Sequence, residues 1–195
     1  FGDVCEGTFT QYNGKSILGQ FDMATTSLFF AHQLTGCELG ILFVKQELLD
    51  YYTNAKLIRN HGLTRSLSKE NTYRKLIELQ NPAIDSEFLF DKIGTNWRPT
   101  DLNSFFALLD FKRLDKYIEH RKKIWEYYNY NLPRQKFQHF SINEIPFSLP
   151  LIYKSSLGND QKDLLRLNNL KDKLRTGGFE CRPIISFLPL NPAFK

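Results

Sequence analysis

Cysteine is scarce in this chain, and what there is does not pair. Three occur in 195 residues, Cys5, Cys37 and Cys181. They are odd in number and far apart, with no C-x-x-C pair. This argues against a disulfide framework and against a cysteine-built zinc or iron–sulfur site within these residues. It fits a reducing, cytoplasmic setting. Long apolar runs are also missing. None approaches the roughly 20 residues that span a bilayer, so no membrane span is expected. Nor is charge of one sign concentrated. Lys and Arg number 26 against 21 Asp and Glu, a net +5. The densest run, Arg121-Lys122-Lys123, sits in a helical pattern and reads as a solvated face. A nucleic-acid surface needs a basic stripe with a recognisable module, and neither is present. There is no Gly-x-Ser-x-Gly elbow and no glycine loop for a phosphate. His120 and His139 lack acidic or cysteine partners at ligand spacing, so no metal is expected. The chain opens at Phe1, and Phe1-Gly2-Asp3 is no signal peptide, which reads as the interior of a longer open reading frame.

What is present is an ordinary globular composition, 42% hydrophobic and 24% charged. The length suggests one domain, or one and a part. Thr26–Phe30 and Leu39–Val44 look like short buried strands of a mostly parallel sheet. The loop between them, Ala31 to Glu38, is rich in functional side chains. Residues 46–60 have helical spacing and stop at Asn60-His61-Gly62. His61 there reads as a cap or packing residue. Residues 63–95 form a long, partly helical excursion. A helix follows Pro99, capped by Thr100 or Asp101. Another runs from about Leu114 to Tyr130 and ends at Leu132-Pro133. Beyond it, Phe147–Tyr153 reads as a strand, Gln161–Thr176 as a helix, and the vicinity of Cys181 as a short strand. A domain boundary is placed near 133–146, dividing the chain into 1–136 and 137–195.

Four strings in order carry a resemblance. They are Gly2-Asp3-Val4-Cys5-Glu6; Ser27-Leu28-Phe29-Phe30-Ala31-His32 followed by Glu38-Leu39-Gly40; Arg59-Asn60-His61-Gly62; and Gly94-Thr95-Asn96-Trp97-Arg98-Pro99-Thr100-Asp101. Their order and spacing resemble the pyridoxal-phosphate (PLP)-dependent sugar aminotransferases of the DegT/DnrJ/EryC1/StrS type. Gly178-Phe179-Glu180-Cys181-Arg182-Pro183 is similar to a string in that family's small domain. The resemblance implies an α/β, aspartate-aminotransferase-like fold of type I. Residues 1–136 would be the later part of the large cofactor-binding domain, and 137–195 the start of the small one. It further implies a fragment of a longer chain, a homodimer, and a cofactor pocket shared between subunits.

The resemblance also assigns roles. Asp3 would pair with the protonated pyridine nitrogen, which makes the ring an electron sink. Ser27 would give a hydroxyl to the cofactor phosphate. Asn96 would reach the phosphate of the partner subunit's cofactor. Without the resemblance, these would be a cap residue, a backbone-bonded serine and a turn asparagine. His32 stands where the aminotransferases have the lysine that joins the cofactor covalently. Imidazole lacks a primary amine and cannot make that bond, but it can move protons near neutral pH. The histidine is shared with a subgroup, the nucleotide-sugar 3-dehydratases, which act on GDP- or CDP-linked 4-keto-6-deoxy sugars. That implies pyridoxamine phosphate (PMP) held non-covalently, glutamate as amine donor, and loss of the C3 hydroxyl with His32 as base. The sugar would serve surface polysaccharide synthesis. Two alternatives stay open: a sugar aminotransferase using another amine, and a non-catalytic relative acting as scaffold. The chain departs from the family's glycine pattern at Gly14–Asp22 and at Cys37-Glu38-Leu39-Gly40, and from its Gln-Ala-Ala at Asn103-Ser104-Phe105.

Overall fold

The computed structural model describes residues 1–139, 147–154, 160–183 and 192. The strands are β1 (Gly2–Asp3), β2 (Gln11–Tyr12), β3 (Lys15–Ser16), β4 (Met23–Ser27) and β5 (Gly40–Val44). The helices are α1 (Leu49–Arg59), α2 (Thr72–Gln80), α3 (Asp101–Phe111), α4 (Leu114–Asn131) and α5 (Asp160–Thr176). The chain divides into two compact units between Lys122 and Lys123, inside α4, with Phe147 belonging to the first unit.

The first unit is built on a three-stranded sheet in the order β1-β4-β5. β1 runs parallel to β4, with Gly2 opposite Ala24 and Asp3 opposite Thr25. Along β4 the residues alternate: Ala24 and Thr26 are buried, and Met23, Thr25 and Ser27 are half-buried. Buried Thr26 meets the Thr8 hydroxyl and donates to the Val4 carbonyl, so its hydroxyl is satisfied. Leu28 continues the inward face, and Val4, Leu57, Leu63, Leu67 and Leu89 complete the apolar interior. On α1, Thr53 and Leu57 lie one turn apart and share the buried face.

Among the described residues the sheet is not mostly parallel. β4 and β5 are antiparallel neighbours, with Met23 opposite Val44 and Ser27 opposite Gly40. The loop from Leu28 to Leu39 carries no crossover helix and brings the chain straight back alongside β4, whereas a parallel return needs a crossover, usually a helix. The strand before that loop also starts earlier than its apolar residues suggest, at Met23. Nor is β5 buried. Ile41, Leu42 and Phe43 are exposed, because this strand is at the edge of the sheet among the described residues. Asn13 and Gly14, both at positive φ (50° and 73°), close the β2–β3 hairpin. The Asn-Gly pair supplies the mirror-image turn that matches strand twist.

α1 ends where two backbones touch. His61 and Gly62 take φ of 60° and 81°. A β-carbon on Gly62 would stand 1.7 Å from the Lys92 carbonyl oxygen, and one on Gly94 would stand 2.3 Å from the Gly62 nitrogen. This crossing locks Arg59–Leu63 against Asp91–Trp97: the His61 N–H donates to Thr95 O (2.8 Å) and the Trp97 N–H to Arg59 O (2.9 Å). The excursion between carries α2, capped by Asn71, whose side chain accepts the Arg74 N–H. Buried Arg74 is neutralised by Glu78 at 2.7 Å. α3 is capped by Thr100, whose hydroxyl accepts the Asn103 N–H.

In the second unit, Trp125 and Phe137 are buried, and Phe137 bridges Tyr153. Phe147–Tyr153 is therefore not a strand beyond that bridge. The described residues around Cys181 form no strand either; Arg175 donates instead to the Cys181 carbonyl. Both segments have strand-like composition but lack a neighbouring strand to pair along their length among the described residues.

Gly62→Ala should cost roughly 3 kcal/mol or more, or prevent folding, as measured by urea unfolding, since clash and positive φ act together. Cys37, at φ 67°, carries left-handed strain where the family pattern has glycine. Cys37→Gly should stabilise by about 0.5 kcal/mol, the relief of strain exceeding the added freedom of the unfolded chain. A lowered melting temperature would contradict this.

Candidate active site

β1 and β4 run parallel, so their carboxyl ends share one edge of the sheet. Such an edge is where open α/β sheets hold ligands. Asp3 is the last residue of β1 and Ser27 the last of β4. The loop that leaves Ser27 folds tightly: Gly36 N–H donates to Leu28 O (2.8 Å), and Leu28 N–H to Leu39 O (2.7 Å). α3 braces it from outside. Thr35 N–H donates to the Asp110 carboxylate (2.9 Å), and the Asn103 amide donates to Gly36 O (2.8 Å). Asn103 is the residue that replaces glutamine in the family pattern, and here it holds the loop.

His32 hangs from this loop, half-buried. Its Nδ1 lies 3.1 Å from the Ser27 carbonyl oxygen. A carbonyl only accepts, so Nδ1 carries the proton and donates. The neutral ring then presents Nε2 as its basic nitrogen. Phe29 and Phe147 stand edge-on to the imidazole, with ring centres 5.8 and 5.4 Å away. Arg121 in turn donates to the Phe147 carbonyl at 3.1 Å.

Asp3 and His32 line one open depression of about 590 Å³, with Cys5, Glu6, Ile17 and Phe21 among its other walls. The Asp3 carboxylate accepts the Cys5 N–H at 3.1 Å. Hydrogen bonds from the Cys5 side chain and backbone hold Asp3 below the ordinary carboxylate value. Burial, with the bond to Asp3 added, pushes the Cys5 thiol up to about 11. At neutral pH the pair is therefore a thiol beside a carboxylate. The stability from ionised Asp3 is complete at neutral pH and is lost as pH falls through its lowered titration.

Ser27 and Asn96 are not walls of this depression. The Ser27 oxygen accepts the Phe29 N–H (3.2 Å), which leaves its own hydroxyl proton to give elsewhere. Asn96 is exposed, paired by backbone with Asn60, and accepts from Arg98 at 2.9 Å. So Asp3 and His32 share the depression, Ser27 touches His32 through its carbonyl, and Asn96 lies apart. Sequence reading assigned no role to Cys5 or Phe147. The Asp-x-Cys spacing of Asp3 and Cys5 is a local turn signal that marks the first. Nothing local marks Phe147, more than a hundred residues from His32. The donor set suits a cationic aromatic cofactor: an ionised carboxylate and a neutral imidazole share a depression with apolar walls. Among the described residues there is no cluster of three or more His, Cys, Asp or Glu set to hold a metal.

Residues 1–184 match the DegT/DnrJ/EryC1/StrS aminotransferase family, and the chain belongs to it. It is 30% identical over 189 residues to a GDP-4-keto-6-deoxy-D-mannose 3-dehydratase of Yersinia pseudotuberculosis, covering 94% of this chain and 45% of that protein. It is 28% identical over 188 residues to the enzyme of that name from Escherichia coli O55:H7, covering 94% and 46%. The E. coli GDP-4-keto-6-deoxy-D-mannose 3-dehydratase solved with bound hydrated PLP superposes with a TM-score of 0.75 at 26% identity, over 96% of this chain and 47% of that one. The chain thus spans about half the length of the relatives it matches. Its fold is the α/β fold of the PLP-dependent sugar aminotransferases and dehydratases.

Spectra that correlate imidazole nitrogens with ring protons, taken with the His32 ring neutral, should show the Nδ1–H tautomer. An Nε2–H tautomer would mean that the Ser27 bond is absent in solution.

Proposed function

We propose that the protein is a PLP/PMP-dependent nucleotide-sugar 3-dehydratase acting on a nucleotide-linked 4-keto-6-deoxy sugar, GDP-linked by analogy with its relatives. The observation that carries this reading is His32, an imidazole with its Nδ1 proton committed to Ser27 O and its Nε2 left as base beside Asp3. A histidine at this point cannot take the lysine's covalent part in transamination, but it can take a proton.

When bound, the cofactor supplies an electron sink for the carbon next to its reacting nitrogen. Asp3 holds negative charge against the pyridine nitrogen and keeps it protonated. Its lowered titration keeps that charge in place at neutral pH. Ser27 gives its hydroxyl to the phosphate. His32 Nε2 accepts the proton released from the reacting carbon, while the Ser27 carbonyl stabilises the imidazolium through Nδ1–H. Phe29 and Phe147 limit the ring's tumbling and the access of water. Glutamate would resupply the amine.

Residues 1–136 would belong to the large cofactor-binding domain, and 137–195 to the start of the small one. A cytoplasmic setting suits a soluble sugar nucleotide. Among the described residues no helix is long and apolar enough to cross a membrane. A homodimer is part of this reading. Leu102, Phe105 and Phe106 on α3 and neighbouring Trp97 are exposed, an apolar surface that a second copy would cover. Asn96 would then reach the partner's cofactor phosphate.

The test is to incubate the intact protein with PMP, glutamate and a GDP-4-keto-6-deoxy sugar and to follow the sugar by mass spectrometry. Loss of the C3 oxygen is expected. His32→Ala should reduce it by roughly 10²–10⁴-fold, the usual contribution of a positioned base. Replacement of the keto oxygen by an amine would make the protein an aminotransferase with a lysine from elsewhere. No reaction and no cofactor binding would favour the scaffold.

A further inference from the structure

The basic run Arg121-Lys122-Lys123 reads from sequence as a solvated face, yet its first member is half-buried and bonded to a backbone carbonyl. Arg121 lies on α4 ahead of the division between the two units, so it and Phe147 both belong to the first. Its Nη1 donates to the Phe147 carbonyl oxygen at 3.1 Å. Phe147 lies in a bend, outside any helix or strand. Among the described residues, this is the one hydrogen bond that ties its backbone.

The ring of Phe147 is the outside reference for His32. The bond from Nδ1 to Ser27 O holds the imidazole at one edge and leaves it free to swing about that bond. Two aromatic rings restrain the swing, both nearly perpendicular to the imidazole, Phe29 at 76° and Phe147 at 77°. Edge-on pairs attract at these separations. The Phe29 carbonyl accepts the His32 N–H, so Phe29 moves with the loop. Phe147 comes from a distant stretch of chain and fixes the imidazole relative to the rest of the unit.

We propose that Arg121 is a positioning residue for His32 and acts through Phe147. By holding the Phe147 carbonyl to α4, it keeps the phenyl ring against the imidazole and the imidazole in one orientation. The inference rests on the functional reading above for the role of His32 Nε2 as base. Arginine suits the task. Its guanidinium is planar and always charged, and a charged donor makes a stronger bond to a carbonyl than a neutral one. The 18-residue helix that carries it is a stiff support. A lysine would offer the same oxygen only a point charge on a flexible stem.

The experiment compares wild type with Arg121→Met, Arg121→Lys, Phe147→Leu and the double variant Arg121→Met/Phe147→Leu in the intact protein. Arg121→Met keeps an aliphatic stem and loses the donor. The first readout needs no cofactor. It is the ring-proton NMR shifts of His32 in isotope-labelled protein, assigned by their loss in His32→Gln. An aromatic neighbour displaces such shifts, so Phe147→Leu should move them. Arg121→Met should move them the same way, Arg121→Lys less, and the double variant no further than Phe147→Leu alone. The double variant is needed because Arg121 has interactions besides this bond. Additive shifts would mean that it reaches His32 by another route. The second readout is dehydration of the sugar. Arg121→Met should lower kcat by roughly 10- to 100-fold, the scale of a small misplacement of a reacting group, with KM near wild type. Arg121→Lys should recover part of the loss. His32 shifts unchanged in Arg121→Met overturn the proposal. So do additive shifts in the double variant, or a kcat equal to wild type. Where Arg121→Met does not fold, Arg121→Lys carries both readouts. A wild type that binds no cofactor and dehydrates no sugar would instead defeat the functional reading. The His32 shifts would still decide whether Arg121 holds His32 through Phe147.

Discussion

The bond from His32 Nδ1 to the Ser27 carbonyl is the contact on which the site depends. It joins the loop to the end of the strand that the loop has just left. In doing so it chooses the tautomer, and so decides which nitrogen is left to act. An imidazole rotated or protonated the other way would face the same depression with a donor instead of a base. Everything around the bond preserves it. The Leu28–Leu39 and Gly36–Leu28 bonds close the loop, α3 braces it through Asn103 and Asp110, and Phe29 and Phe147 bound the ring.

The parallel register of β1 and β4 sets the other half. Asp3 opposes Thr25, so its carboxylate emerges at the sheet edge that Ser27 also ends on. The backbone after Asp3 then turns at once, and Cys5 falls where its amide meets the carboxylate. Two short local structures, each built from neighbours in sequence, are thereby aimed into one space. The antiparallel return of β5 matters for the same reason. The direct return lets the two ends of the His32 loop bond to each other, from Leu28 N–H to Leu39 O.

Departures from the family's glycine pattern do not dismantle this frame. Cys37 keeps a left-handed φ of 67° and carries the strain that glycine avoids. The Gln-to-Asn change at Asn103 still delivers an amide to the loop, at Gly36 O. The tightest crossing of the first unit, Gly62 against Gly94 and Lys92, retains its glycines because a β-carbon has no room there.

Much of this was legible in the residues. The helices α1, α3, α4 and α5 followed from apolar spacing, caps and stops, because those signals are local. The Asn13-Gly14 hairpin was equally local, yet was not among the expected elements, its glycine being matched to a family motif instead. Asp3 and His32 stood out through ordered strings and through a histidine where an amine is needed. Other features were settled only by tertiary structure. Strand direction was one, since an apolar run reads the same beside a parallel or an antiparallel neighbour. The exposure of β5 was another, since burial belongs to what packs against a strand and not to the strand. The ring of Phe147 beside His32 was also beyond sequence. The sequence by itself determined which side chains were available and how each turn and helix would close. Tertiary structure decided which of them met, because contacts between distant residues depend on register and packing that no local stretch of chain encodes.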